Sequence, residues 1–315
     1  MEEMTAKTNT LKSIFIMSRP PFHIVGVFPF VLGAIYAYKS IGTLDLPVFI
    51  LSMIAVIIIM LVTYYNGEYY DIVEDKLAPS MGKNTFSGGS QIIAQKILPR
   101  KYARIGSYIS LGIAVIIGFI LQFYFKTGVW TIQLGIIGLF FGFFYSRPPF
   151  RWVNRGIGEL LIGLSYGWLT IAAAFYLQTS GFDSYIIWMA IPVGLTIFNV
   201  ILLNEFPDYD ADKTAGNKRN IVIRLGKEKG IIVYIAAQAL TWIMFAVSMN
   251  IRFSSVASLT AIPFLLISIM LMIMAMLKKY KAPKILEAMC GLGILLNIGV
   301  TLAYLLGVIF GGLAI

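Results

Sequence analysis

The chain has 315 residues, 58% hydrophobic and 13% charged, with a mean hydropathy of +0.82 and a net charge of +10. Soluble domains carry about 25% charged residues, so this composition excludes a soluble globule of the same size as well as a disordered chain. A single cysteine, Cys290, excludes an intramolecular disulfide scaffold.

A membrane-crossing helix needs about 20 apolar residues. In chain order, apolar runs between charged or Gly/Pro-rich breaks predict nine such helices, at 22–38, 46–66, 105–125, 129–146, 157–178, 184–204, 230–250, 255–277 and 286–310. Segment 1–19 is polar and mixed in charge, without the short apolar core of a signal peptide. The expectation is one all-α polytopic domain over 1–315, with loops at 67–104 and 205–229 on the same side as the N-terminal segment.

The basic residues separate by side. Of the 25 Lys and Arg, 22 fall in the N-terminal segment or after the second, fourth, sixth and eighth spans, and only Lys39, Lys126 and Arg252 fall opposite. The positive-inside rule then places the N-terminus in the cytoplasm and the C-terminus outside, in the cell membrane. Nothing in the pattern calls for nucleic acid.

The acids are more informative. Eight of the 15 lie in two cytoplasmic stretches, Asn66-Gly-Glu-Tyr-Tyr-Asp-Ile-Val-Glu-Asp75 and Asn204-Glu-Phe-Pro-Asp-Tyr-Asp-Ala-Asp212. Both contain Glu-x-x-Asp-x-x-x-Asp: Glu68, Asp71, Asp75 and Glu205, Asp208, Asp212. At about 100° per helical residue these positions share an arc of about 60°. Asp210 and Glu74 fall off that arc. Three like charges on one helix face near a membrane are costly without a cation. Oxygen ligands without His or Cys suit a hard ion, and Mg²⁺ is usually held by one or two carboxylates plus substrate phosphates. Two such clusters face to face predict Mg²⁺ around a diphosphate, and solvated helix ends are the plain alternative.

Basic loops follow both clusters, with Lys83 and Asn84-Thr-Phe-Ser-Gly-Gly-Ser90 after the first, and Lys218, Arg219 and Arg224 after the second. Carboxylates on one side and cationic side chains on the other describe a diphosphate clamp. Gly88-Gly89-Ser90 is either a phosphate-facing turn or a plain loop. Lone His23 reads as a packing residue, and Glu159 as a structural partner of Arg155. The equivalent motifs of the second and sixth spans imply two parallel four-helix repeats plus a final helix, around a central cavity.

At these residues the chain resembles the UbiA superfamily of intramembrane prenyltransferases, whose Asn/Asp-rich motifs lie on the second and sixth of nine helices. Ser18-Arg-Pro20, Tyr145-Ser-Arg-Pro-Pro149, Arg155-Gly-Ile-Gly-Glu159 and Gly216-Asn-Lys-Arg-Asn-Ile-Val-Ile-Arg-Leu-Gly226 resemble its other conserved-type segments. The last is closest to the 1,4-dihydroxy-2-naphthoate prenyltransferase branch. The resemblance implies Mg²⁺-dependent transfer of a polyprenyl group from an allylic diphosphate to an aromatic quinone precursor. It implies metal ligation by Glu68, Asp71, Asp75, Asn204, Glu205, Asp208 and Asp212, with Asp71 and Asp208 central to catalysis. It further implies diphosphate or substrate contacts from Asn66, Lys83, Tyr145, Arg147, Lys218, Arg219 and Arg224. The family's leading Asn of the first motif falls on Gly67 here, with Asn66 one residue early. Geranylgeranyl transfer to a glycerol-phosphate ether lipid, and secondary transport of an anion, are the alternatives.

Overall fold

The structure is a computed structural model and describes residues 2–251 and 255–311; Arg252 and residues 312–315, assigned above to the outer side, lie outside the described residues. Short α1 (Glu2–Met17) precedes the bundle. The long helices are α2 (Ile24–Ile41), α3 (Leu46–Tyr70), α5 (Lys101–Tyr124), α7 (Gly158–Thr179), α8 (Ile186–Ala215), α10 (Lys227–Ile251), α11 (Ser255–Met276) and α12 (Pro283–Phe310). All eight are long and apolar enough to cross a membrane, so this is a multi-pass membrane protein. The fourth predicted span is shorter than expected: α6 covers only Thr131–Phe143. Beyond it the chain folds back because Phe150 packs on Phe140 and Phe144 at 5.1 and 5.0 Å and stacks on Trp152 at 4.9 Å. Two short helices, α4 (Ile72–Leu77) and α9 (Ile221–Leu225), lie between the long ones.

Helix ends follow local chemistry. The Asp45 side chain accepts from Val48 N–H at 3.0 Å to cap α3, and Gly42 closes α2 with a left-handed φ of 77°. The largest apolar core joins α2, α7, α8, α10, α11 and α12, with Leu32, Ile171, Val193, Tyr234, Leu271 and Val300 among its buried members. Between α7 and α8 the backbones nearly touch: a Cβ on Gly167 would lie 2.6 Å from Gly194 Cα. Small residues permit this approach, which dispersion then rewards in a lipid setting. Polar ties inside the bundle run from Asn199 Nδ2 to Gln238 Oε1 at 2.7 Å and from Asn297 Nδ2 to Thr196 Oγ1 at 2.8 Å. Pro207 within α8 cannot donate to the carbonyl of Leu203. The Cys290 thiol points at that freed oxygen from 3.8 Å, which gives the lone cysteine a structural task.

Candidate active site

The two carboxylate motifs meet at one end of the bundle. Glu68 closes the last turn of α3, and Asp71 follows at φ −97°, ψ 20°, where α3 gives way to α4 carrying Asp75. The first motif therefore sits on a kinked pair of helices, yet its three carboxylates still share one face. The second stays on one helix, since α8 runs through Glu205, Asp208 and Asp212 to Ala215. All six, with Asn204, line a common cavity together with Arg19, Tyr64, Tyr145, Ser146, Tyr166, Lys218 and Asn220. The off-arc acids behave differently. Asp210 is exposed and pairs with Lys227 at 3.2 Å, whereas Glu74 is buried against Arg151 at 3.3 Å.

A strap joins the motifs. Gly88 N–H donates to Asp208 Oδ2 at 2.9 Å and Ser90 N–H donates to Glu68 Oε1 at 2.6 Å. The Gly88-Gly89-Ser90 amides thus serve the carboxylates of both motifs. Gly89, at φ 62°, has no room for a side chain, because a Cβ there would lie 2.3 Å from Asp75 Oδ2. The strap is pinned to α12 by Thr85 N–H donating to Glu287 Oε1 at 3.1 Å.

Lys218 stands between the motifs, its Nζ 3.9 Å from Asp71 Oδ2 and 3.5 Å from Asp212 Oδ1. Burial alone lowers an ammonium's pKa, but Asp71, Asp212, Asp75 and Asp208 outweigh it and hold Lys218 well above the ordinary lysine range. Ser146 Oγ donates to Asp71 Oδ2 at 2.7 Å, and Arg151 Nη2 reaches Asp71 Oδ1 at 3.3 Å. Glu159 does not pair with Arg155. Its Oε1 accepts from Ile221 N–H at 2.6 Å, while Arg155 Nε donates to the carbonyl of Phe150. Glu159 thereby anchors the loop that presents Lys218.

Several expected contacts are not brought to the cavity. Asn66 is buried between helices, donating to Phe143 O at 2.9 Å and accepting from Ser107 Oγ at 3.0 Å. One residue's offset, about 100° of helix, turns it away, and Gly67 faces the cavity instead. Arg147 lies over Phe143 and Tyr108, at 4.4 and 5.2 Å, outside the cavity. Arg219 is exposed, and Arg224 is spent on the carbonyls of Arg219 and Asn154 at 2.7 and 2.8 Å. The Lys83 stem packs against Gly88 rather than lining the cavity. His23 packs as expected, stacked on Tyr64 at 5.9 Å. Sequence reasoning missed Arg19, Ser146 and Arg151. The first and last were indistinguishable from topology-setting basic residues, and Arg151 reaches Asp71 only because its backbone adopts φ 45°.

The donor set fits a hard divalent cation. It is all oxygen, and Asn204 Oδ1, Glu205 Oε2 and Asp208 Oδ1 are buried without a hydrogen-bond partner. Among the described residues, seven carboxylates, counting Glu74, face the cationic side chains of Arg19, Arg151 and Lys218. Among the described residues no three His, Cys, Asp or Glu converge tightly enough to hold an ion.

Tyr145, Tyr166, Thr63 and Ile162 line both this cavity and a second, apolar chamber between α3, α5, α6 and α7. The chamber extends along α3 to Ser52, 16 residues before Glu68, or about 24 Å at the helical rise. π-Helical turns at Ser165–Leu169 and Ile120–Tyr124 lie beside it, the first carrying Tyr166.

A carboxylate-lined mouth thus meets an apolar chamber within a membrane-spanning bundle. Residues 26–289 match the UbiA prenyltransferase family, and the chain belongs to that family of prenyl-transferring enzymes. It is 25% identical over 231 residues to the 1,4-dihydroxy-2-naphthoate octaprenyltransferase of Bacillus subtilis (strain 168), covering 72% of this chain and 71% of that protein. A solved digeranylgeranylglyceryl phosphate synthase shares the fold with a TM-score of 0.63 at 16% identity, covering 95% of this chain and 98% of the other. So does a UbiA homolog from Archaeoglobus fulgidus bound to GPP and Mg²⁺, with a TM-score of 0.59, 16% identity, and 93% and 99% coverage.

Proposed function

We propose that this protein transfers a polyprenyl chain from an allylic isoprenyl diphosphate to an aromatic, 1,4-dihydroxy-2-naphthoate-type acceptor, with release of diphosphate. The continuity of the carboxylate cavity with the apolar chamber through Tyr145 and Tyr166 carries this reading. It matches a substrate with a charged head and a hydrocarbon tail, and the similarity to the naphthoate octaprenyltransferase supports the acceptor class. The charge asymmetry supports a cavity mouth on the cytoplasmic side.

Glu68, Asp71, Asp75, Asn204, Glu205, Asp208 and Asp212 are the residues that would hold Mg²⁺, which supplies neutralisation of the leaving diphosphate when bound. Lys218, Arg151 and Arg19 add fixed positive charge where diphosphate charge develops as the C–O bond breaks. Tyr145 and Tyr166 stand at the junction between mouth and chamber, with Tyr64 on the mouth side. Their rings offer faces to a developing carbocation and, with the apolar wall, restrict water. Of the other tyrosines near the motifs, Tyr65 packs in a separate apolar cluster and Tyr209 lies under Lys213 and Lys227, so neither lines the junction.

Purified protein incubated with labelled isoprenyl diphosphates and a panel of acceptors, with products identified by mass spectrometry, tests the proposal. Prenylated naphthoate is expected, and exclusive product from a glycerol phosphate would overturn the acceptor.

Two further outcomes follow from the geometry. Gly135 lines the chamber, and a Cβ there would meet nothing within 4 Å. Gly135→Phe should therefore fill the tail space without clashing with the wall. The ratio of kcat/KM for long over short donors is expected to fall about tenfold. An unchanged ratio would remove the chamber as the tail site.

Burial raises the Asp75 carboxyl well above the usual carboxylate range, despite the opposing pull of Lys218 and with the added push of Asp71. A raised carboxyl holds its proton to higher pH and must release it to become a ligand. The Mg²⁺ concentration for half-maximal transfer is thus expected to fall as pH rises. A requirement that rises with pH would contradict a ligand role for Asp75.

A further inference from the structure

Arg100, Arg104 and Arg147 form a second cationic cluster, outside the carboxylate cavity. Arg100 immediately precedes α5, Arg104 lies one turn into it, and Arg147 follows α6, which places all three at the motif-bearing end of the bundle. The Arg100 guanidinium sits 3.9 Å from the ring centre of Tyr69, and its Nε donates to the Tyr69 carbonyl at 2.8 Å. Arg104 lies 6.0 Å from the same ring. Arg147 covers Phe143 and Tyr108 and donates through Nη2 to the Tyr108 hydroxyl at 2.8 Å.

Among the described residues no carboxylate lies within ion-pair distance of any of the three; the ion pairs at this end join Arg151, Lys218, Lys227, Lys278 and Lys281 to other acids. Like charges gathered on aromatic faces, rather than dispersed into water, lack a counter-ion. Tyr and Arg at this level occupy the headgroup zone of a bilayer. Directly toward the membrane centre, α5 turns out the exposed side chains of Ile105, Ile109, Ile113 and Ile116, a surface for acyl chains. Planar guanidinium groups match phosphate oxygens in paired fashion.

We propose that this cluster binds the headgroup phosphate of an anionic phospholipid of the cytoplasmic leaflet, whose acyl chains lie along the isoleucine face of α5. The site is separate from the catalytic cavity and does not depend on the identity of the prenyl acceptor. It stabilises the α3–α5 corner by supplying the missing negative charge.

The test uses the full-length protein purified in detergent, with phosphatidylglycerol or phosphatidylcholine added. Native mass spectrometry reads retained lipid, and the melting temperature reads its effect. Wild-type protein is expected to retain phosphatidylglycerol preferentially and to melt higher with it. The R100Q/R104Q variant is expected to bind it about tenfold more weakly or worse, as expected for two basic residues at an anionic surface. The exposed single change R104Q serves if the double variant melts abnormally without lipid, and it should show a smaller loss in the same direction. K279Q/K281Q, in the cytoplasmic turn before α12, is expected to leave retention unchanged. Equal retention of the two lipids by wild type, unchanged retention in R100Q/R104Q, or an equal loss in K279Q/K281Q would each overturn the proposal. So would displacement of the bound lipid by inorganic diphosphate at millimolar concentration, which would assign the cluster to a soluble anion.

Discussion

Alanine at Asp71 or at Asp208 is expected to lower Mg²⁺-dependent prenyl transfer by about 10²–10³-fold, the scale of removing one preorganised charge-stabilising group. The two positions do not fail for the same structural reason. Asp71 is held by Ser146 at 2.7 Å and Arg151 at 3.3 Å, and it also faces Lys218. Its loss frees three groups and leaves the cationic side chains without their anchor. Asp208 receives one strap amide, from Gly88 at 2.9 Å, and leaves its other oxygen free toward the cavity. Its loss should chiefly raise the Mg²⁺ concentration needed, with protein yield and melting temperature near wild type. Asp210 is the internal control. It lies in the same acidic stretch but is exposed and paired with Lys227, so Asp210→Asn should alter transfer less than twofold. Labelled-donor turnover across a Mg²⁺ titration measures all three, and full activity in both alanine variants would sink the metal assignment.

The second large effect is expected at Lys218. Its Nζ is the buried positive charge between Asp71 and Asp212, and breaking a buried charge pair by removing one partner costs about 3–5 kcal/mol. Lys218→Met in the presence of chelator should therefore lower the melting temperature sharply, since Asp212 then loses its ion-pair partner while Asp71 keeps Arg151. Adding Mg²⁺ should recover part of the loss, because a cation held between the motifs replaces the missing ammonium. Transfer activity should stay low even at saturating Mg²⁺, as Lys218 also contributes charge toward the diphosphate. If the variant melts like wild type with and without Mg²⁺, Lys218 is not the link between the motifs.

The helical membrane architecture was legible because it rests on local properties. An apolar run of bilayer length has few alternatives to a helix, and lipid enforces that choice by penalising unpaired backbone groups. The helix arc likewise put Glu68, Asp71 and Asp75 on one face from spacing alone, and did so even though the helix breaks after Tyr70. A local rule fails where an interaction is decided by distant chain. The fourth span ended early because Phe150 and Trp152 fold back onto Phe140 and Phe144, contacts that no hydropathy window contains.

Basic residues show the same division at finer scale. Arg147, Arg219 and Arg224 read as loop cations suited to a diphosphate, whereas Arg151 reads only as topology-setting charge. Backbone direction sends Arg151 to Asp71, Arg147 to Tyr108 and Arg224 to the carbonyls of Asn154 and Arg219. Their sequence contexts are alike, while their destinations depend on φ, on aromatic neighbours and on which carbonyls lie within reach. Glu159 was assigned a local partner, Arg155, and instead anchors Ile221, 62 residues later in the chain.

Sequence by itself determined that this protein crosses the membrane many times, and it singled out seven oxygen-bearing residues as candidate metal ligands. Those features depend on composition, charge and helical period. Tertiary structure alone decided that the two motifs share one cavity strapped by Gly88 and Ser90, that Lys218 bridges them, and that the cavity opens past Tyr145 and Tyr166 into an apolar chamber. The physical reason is that a shared cavity and a shared counter-charge belong to pairs of segments, and the contacts joining them form only when α3, α7 and α8 pack side by side.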